Sequence, residues 1–461
     1  MLKLSIAEIA RVVGGEIHPR AAGAGGAVPT GHSIDTRTLE SGDLFYALEG
    51  EHADGHTFVG DAASAGAAGA VVSRPVEGPA ASFPQIVVDS PLSALQSLAV
   101  YLRGLVDIPV IAVTGSNGKT TTKEMIAAVL SGRLNVHKNP GNYNNQIGVP
   151  LTILGLEESD EVLITELGSN HPGEIRELAG WARPDVGVIT NVGRAHIGLF
   201  GSIENIVEEK TDLLRVLPPS GRGVVNADSP AVLQKAGEIE IDMVTFGIEA
   251  HCDYRATDVD TGAGSGTLFK VAGVEVALRA PGLHNVYNAL AAIAAGSLFD
   301  IGPAESARAL RDFQPVRVNI SREGDITLID DTYNANPDSV RAVLSVLMGL
   351  PAGRRVFVMG EMLELGDFAA ELHREVGGSL AGSGLDFFFG VGGAAWDAVD
   401  AARQSGMTEE RAGFFADKET ACAFLSRFIK SGDAILVKGS RATGMDAVSR
   451  YIRKEAALRR K

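Results

Sequence analysis

The feature that most constrains this chain is a run of eight residues, Thr114-Gly115-Ser116-Asn117-Gly118-Lys119-Thr120-Thr121. It lies between the apolar segment PVIAV at 109–113 and a stretch carrying Met125, Ile126, Val129 and Leu130 at helical spacing. A short apolar run ended by glycine and followed by a 3.6-residue period reads as strand, tight loop and helix. Gly115 and Gly118 let backbone N–H groups converge, and the helix start adds positive potential. Lys119 supplies a point charge, and the Thr120 hydroxyl is a hard oxygen ligand for Mg²⁺. Those are the requirements of a polyphosphate cradle, so Thr114 through Thr121 are expected to bind ATP. The run departs from the usual GxxxxGK[ST] pattern, because Val113 stands where the first glycine belongs. The competing reading is a tight turn with a solvated lysine.

Around this loop the chain alternates apolar runs with helical patterns. At 461 residues it is long enough for about three domains of about 150 residues each. The first is placed at 1–105, where short strands and Ala-rich helices are broken by surface loops at 20–31 and 74–85 and a helix is predicted over 93–105. The second, 106–312, carries VLIT at 162–165, VGVIT at 186–190, GVVN at 223–226 and MVTF at 243–246. A strand-rich excursion at 267–280 then precedes a helix beginning near His284. The third, 313–461, repeats the pattern with ITLID, RRVFVMG, LDFFFGVG and DAILVKG. Such alternation gives an α/β class with largely parallel sheets covered by helices on both faces.

Composition narrows the partners. Forty-one Lys plus Arg against fifty-seven Asp plus Glu leave a net charge of -16, which disfavours nonspecific binding to nucleic acid or anionic membranes. Cys252 and Cys422 lie far apart with no metal-ligand spacing, which fits a reducing cytoplasm. In MLKLSIAEIARVVGG, Ser5 and Glu8 have capping-box spacing and Ile6, Ile9 and Val13 share a face. A core-facing helix is therefore expected there, not a signal peptide or membrane span. Glu166, directly after VLIT, is the first-choice Mg²⁺ ligand, against a plain cap of the loop LGSNHPGE.

Seven features, in this order, resemble the Mur ligase family over nearly the whole chain: TGSNGKTTT, NYNNQIGVP at 142–150, Glu166, NVGRAHIGLFGS, GLHNVYNALAA at 282–292, DDTYNANPDS at 330–339 and VKGSRATGMD at 437–446. The resemblance implies an ATP-dependent amide ligase of the bacterial cell-wall precursor, releasing ADP and phosphate. Its three domains would be an N-terminal UDP-sugar domain, a central P-loop ATPase and a Rossmann-like C-terminal domain for the incoming amine. NYNNQIGVP, DDTYNANP and GEMLELGD at 360–367 resemble the branch that joins D-alanyl-D-alanine to UDP-N-acetylmuramoyl-tripeptide, and no DNPR-type motif of the diaminopimelate-adding branch is present. The rivals are another Mur-type ligase, a folylpolyglutamate synthase-like ligase and a P-loop ATPase switch. Expected partners are those two small molecules, with no nucleic acid, no membrane insertion and a monomeric chain.

Residue by residue, the resemblance makes Lys119 and Thr120 ligands of the ATP phosphates and Mg²⁺, Glu166 a Mg²⁺ ligand and His196 the ligand of a second metal. Lys210 becomes the family lysine that CO₂ converts to a carbamate, an anionic ligand where two metal ions would repel an ammonium. Read without the family, Lys210 in IENIVEEKTDLL is a solvated helix charge, and His196 is a lone structural histidine. Asn285 and Asn288 resemble asparagines around the adenine, although a helix cap reads equally well. Asp331 and Arg317 are expected on the ATP side, with Asn319 the other alignment for that arginine. Tyr333, Asn336, Glu361, Lys438, Ser440 and Arg441 are expected around the dipeptide, with an Asn-Pro turn competing for the first two. Ser33, Asp35, Thr36 and Arg37 resemble part of the uridine-diphosphate region, against a polar turn between strands; Asn144 and Asn145 would face the sugar or peptide.

Overall fold

Three sheets rich in parallel pairs organise the chain, as the α/β reading requires. The computed structural model describes residues 4–18, 25–50, 53–77, 83–262, 266–314 and 318–458. Ser5 and Glu8 form the expected capping box of the helix Ile6–Val13, and Gly14 ends it in a left-handed conformation. Ile6 and Ile9 are buried and Val13 is half-buried. Residues 25–27 run along that helix: the carbonyls of Gly25 and Ala27 take the N–H groups of Ala7 and Ile6. Gly31 and Gln85, expected in loops, begin strands. The helix predicted over 93–105 spans Pro91–Arg103, because Ser90 caps it and proline is favourable in the first turn.

The five-stranded sheet runs Glu16–His18, Gln85–Val87, Gly69–Val72, Asp43–Tyr46, Gly31–Ser33, with only the first pair antiparallel. The nine-stranded sheet is parallel from Val136–Lys138 through Val162–Glu166, Val110–Thr114, Val186–Ile189, Arg222–Asn226 and Asp242–Gly247 to Tyr254–Asp260. The hairpin Thr267–Val271, Val274–Leu278 then extends it antiparallel. The strand Val110–Thr114 is fully buried between Val162–Glu166 and Val186–Ile189, which is why it reads as one apolar run. The chain leaves it toward one edge of the sheet and later returns to its other side, opening a crevice at its carboxyl end.

The six-stranded sheet runs Asn319–Glu323, Ile326–Asp331, Asp433–Lys438, Arg354–Met359, Phe387–Val391, Ala412–Phe415, with only the first pair antiparallel. The first two units share an apolar core: Leu95 and Leu98 pack in one cluster with Val149, Ile153 and Leu178. Arg103 stitches that junction by donating to the carbonyls of Ala182, Val106, Ile108 and Arg183. Ile197, Phe200 and Ile206 of the central unit belong to the core of the third. Among the described residues no helix is long and apolar enough to cross a membrane.

Candidate active site

The phosphate loop follows from its glycines. Gly115 (φ +145°) and Gly118 (φ +81°) adopt conformations that side chains disfavour. A Cβ at the first would overlap Thr190 Oγ1, and one at the second Asn288 Oδ1. Helix Lys119–Leu130 starts at Gly118. The neighbouring strand tip braces the loop: Asn117 N donates to Asn191 Oδ1 at 2.9 Å, Asn191 Nδ2 returns a bond to Asn117 O at 2.9 Å, and Ser116 Oγ donates to Gly193 O at 3.0 Å. Lys119 Nζ folds back onto Gly115 O at 2.8 Å.

Glu166 is fully buried at the end of its strand, in register with Val113. Thr120 Oγ1 donates to one of its oxygens at 2.7 Å and Asn144 Nδ2 to the other at 2.7 Å, while its N–H reaches Asn139 Oδ1 at 2.8 Å. A carboxylate and a hydroxyl beside a phosphate loop form the hard-oxygen donor set that Mg²⁺ prefers. Underneath, fully buried Lys123 donates to Asn139 O at 2.6 Å and Gly141 O at 3.0 Å and lies 3.1 Å from Glu124, fixing the loop that delivers Asn139 and Asn144.

The reading of Lys210 as a solvated charge is wrong. Its side chain is buried in helix Ile203–Arg215, and among the described residues its one hydrogen bond runs from Nζ to Ser169 Oγ at 2.6 Å. Burial, and then Lys119, hold its pKa down to about 7, although Glu209 and Glu174 oppose the shift. Glu209 is buried too, accepting from Gly173 N at 2.6 Å and Ile175 N at 2.8 Å at the start of helix Glu174–Ala182.

The third unit closes the crevice. Asp331 and Lys438 are register partners on adjacent strand tips, so the sheet itself builds their 2.5 Å ion pair; Lys438 Nζ also reaches Asn334 O at 2.8 Å. Asn336 caps helix Pro337–Gly349 and donates to Asn117 Oδ1 at 2.9 Å, which places it against the phosphate loop. Ser116 to Thr121, His196, Asn285, Asn288, Asp331, Tyr333, Asn336 and Lys438 all line one cavity of about 360 Å³. Asn288 joins the loop helix to its own: Thr122 Oγ1 donates to Asn288 Oδ1 at 3.2 Å and Asn288 Nδ2 to Asn285 Oδ1 at 3.2 Å. His196 has left-handed backbone (φ +59°), and its Nδ1 lies 2.5 Å from Glu364 Oε2, close in distance without hydrogen-bond alignment. Beside it the units meet backbone to backbone, for a Cβ on Gly198 would overlap Gly366 N and Leu365 C.

Other expected residues are not gathered there. Ser33, Asp35 and Arg37 bond one another: Asp35 N donates to Ser33 Oγ at 3.2 Å and Arg37 Nε to Asp35 Oδ1 at 2.9 Å, holding the Asp35 pKa down to about 2. Thr36 lies in that turn, outside the cavity lining. Asn145 accepts from Ile147 N and Gly148 N as a turn cap, and Glu361 accepts from Ala394 N. Ser440 Oγ takes the Leu363 N–H at 2.9 Å, and Arg441 is exposed. Arg317 lies outside the described residues. Sequence reasoning missed Ser169, Asn191, His284 and Asp338. The first lies in LGSNHPGE, the loop after Glu166, and the second directly follows VGVIT, so strand-tip position was a usable signal for both. His284 lines the cavity with its Nδ1 buried and without a hydrogen bond, and burial pushes its pKa down to about 4.

This architecture of three units around one phosphate-loop crevice is matched by three family descriptions: "Mur ligase family, catalytic domain" over 30–102, "Mur ligase middle domain" over 113–296 and "Mur ligase, glutamate ligase domain" over 316–441. The chain belongs to the Mur ligase family. It is 38% identical to the UDP-N-acetylmuramoyl-tripeptide–D-alanyl-D-alanine ligase of Bacillus subtilis over 91% of this chain and 92% of that protein. It is 40% identical to the ligase of the same name from Synechocystis, over 90% of each. A crystal structure of MurF from Acinetobacter baumannii superposes with a TM-score of 0.86 at 31% identity, covering 98% of this chain and 99% of that one. A MurF ligase from Thermotoga maritima in complex with ADP superposes at 0.80 with 28% identity, covering 93% and 98%.

Proposed function

We propose that this chain joins D-alanyl-D-alanine to UDP-N-acetylmuramoyl-tripeptide with hydrolysis of ATP to ADP and phosphate, forming the pentapeptide precursor of peptidoglycan. The observation that carries this reading is one crevice lined by the phosphate loop, whose Thr120 hydroxyl is bonded to the buried Glu166 behind it, and by the Asp331–Lys438 pair, in a chain 35–40% identical to ligases of that name. The finer assignments follow the family plan: 1–105 for the UDP-sugar with Ser33, Asp35, Thr36 and Arg37, 106–312 for ATP, and 313–461 for the amine. Arg37 is exposed, and its guanidinium would leave Asp35 to meet a diphosphate.

In the reaction, an oxygen of the tripeptide carboxylate attacks the γ-phosphorus of ATP, ADP leaves, and an acyl phosphate forms. The dipeptide nitrogen then attacks the acyl carbon, loses its proton, and inorganic phosphate departs. The loop N–H groups and Lys119 hold the phosphates, and Lys119 swings from Gly115 O to the transferring group. Thr120 Oγ1 and Glu166 would hold Mg²⁺, which supplies charge neutralisation when bound. Asn285 and Asn288 orient the base side of the nucleotide and Asp331 meets it from the third unit, where Tyr333, Asn336 and Lys438 face the dipeptide. Lys210 suits carbamate formation because only a neutral amine adds to CO₂, and burial supplies that form near neutral pH. The carbamate and His196 would then serve a second metal.

The test is phosphate release from ATP with UDP-N-acetylmuramoyl-tripeptide, with and without D-alanyl-D-alanine, with the product weighed by mass spectrometry. Release that needs both substrates and a product heavier by one dipeptide residue pair is expected. Release indifferent to the dipeptide but responsive to single amino acids or folate would overturn the substrate assignment.

A further inference from the structure

Four charged groups outside the phosphate cradle form a plug and socket across the crevice. Arg194 stands in the loop after strand Val186–Ile189, the same loop whose Asn191 and Gly193 brace Asn117 and Ser116. Its guanidinium makes a bidentate pair with Glu375 of helix Ala369–Ala381, at 2.6 and 2.8 Å, and its backbone N–H donates to Asp338 Oδ2 at 3.0 Å. Both acceptors belong to the third unit but to different helices, for Asp338 lies in the first turn of Pro337–Gly349. Arg341 bridges them, donating to Asp338 Oδ1 at 2.8 Å and pairing with Glu375. The socket is thus assembled within the third unit by Arg341, and only Arg194 enters from outside. Gly193 makes room, since a Cβ there would overlap the Asp338 carboxylate.

We propose that Arg194 is a positioning residue that couples closure of the third unit to the phosphate loop, so that phosphoryl transfer occurs only when the amine-delivering unit is seated. The proposal rests on the ligase reading above. Bidentate geometry gives direction, and the contact to a backbone N–H makes seating sensitive to the loop's own conformation. The network is about one-third exposed, at 33% for Arg194 and 37% for Glu375, so salt weakens it. A strong lock would hinder product release; a pair of this exposure closes and reopens.

The experiment compares wild type with Arg194→Ala, Arg194→Lys, Glu375→Gln and the swap Arg194→Glu with Glu375→Arg. ADP affinity, the ratio of phosphate released to dipeptide joined, and the radius of gyration with ADP bound are measured at low and high salt. Arg194→Ala and Glu375→Gln are expected to keep ADP affinity within about twofold, raise the KM for the dipeptide about tenfold, push the ratio above one and expand the ADP-bound particle. High salt should move wild type toward them; Arg194→Lys and the swap should restore part of the coupling. A ratio of one with unchanged radius in both single variants overturns the proposal, as does loss of ADP affinity in Glu375→Gln, which would mark a merely structural contact. If wild type binds ADP and compacts but joins no dipeptide, the ligase reading fails while the radius comparison still decides the role of Arg194.

Discussion

Two buried lysines, Lys123 and Lys210, sit in opposite circumstances. Lys123 is saturated by two backbone carbonyls and lies against Glu124, whereas Lys210 has the Ser169 hydroxyl and the Phe200 ring, 5.6 Å from Nζ, with Lys119 repelling it. Both are hidden from water, so burial alone does not set them apart. What differs is hydrogen bonding: Lys123 donates to two carbonyls, whereas Lys210 reaches one hydroxyl, and its burial holds its pKa down to about 7.

That contrast can be broken most forcefully at Lys210. Lys210→Ala should lower dipeptide joining about 10²- to 10³-fold, the range for losing one preorganised electrostatic group, with partial recovery on adding short carboxylic acids that fill the vacated space, and Lys210→Met should lower it as far without that recovery. The same change should raise the melting temperature at pH 7. Between about pH 7 and the ordinary lysine value the unfolded chain holds a proton that the folded one releases, so folding is penalised increasingly as pH falls through that window. Full activity of the variant would remove Lys210 from the chemistry.

Lys123→Met should do the reverse, lowering unfolding free energy by about 2 to 3 kcal/mol as two carbonyls lose their donor, measured by urea denaturation. A neutral result would show that the loop holds itself. The carbamate idea is sharpened by isotope-labelled CO₂: with a pKa of about 7, the free-base fraction of Lys210 is roughly tenfold larger at pH 8 than at pH 6, and labelling should follow it upward with pH. Labelling that is flat or falls with pH would contradict that sign. The smallest effect is expected for Asn139→Ala, about 1 kcal/mol, from the Glu166 N–H left without its acceptor.

The phosphate loop and Glu166 were legible in the sequence because their meaning is local: eight contiguous residues and one strand tip specify them. Lys210 was not, because the glutamates that made it look solvated are spent elsewhere. Glu209 caps a helix 34 to 36 residues earlier, and no periodicity records that. The pairs that seat the third unit are longer-ranged still, at 219 residues for Asn117 with Asn336 and 181 for Arg194 with Glu375, so only the folded topology brings them together. The turn at Ser33 to Arg37 was legible only as one of two readings, since a sequence shows that polar groups are near one another without showing whether they await a ligand or bond among themselves.

Gly198 lies in a four-residue helix at the edge of the crevice, where a surface loop ordinarily tolerates replacement. Its contact with Gly366 removes that latitude. The two peptide planes act as a machinist's gauge, set to a clearance that admits no carbon atom. A mutational scan would therefore find position 198 intolerant even of alanine, although no side chain there performs any chemistry.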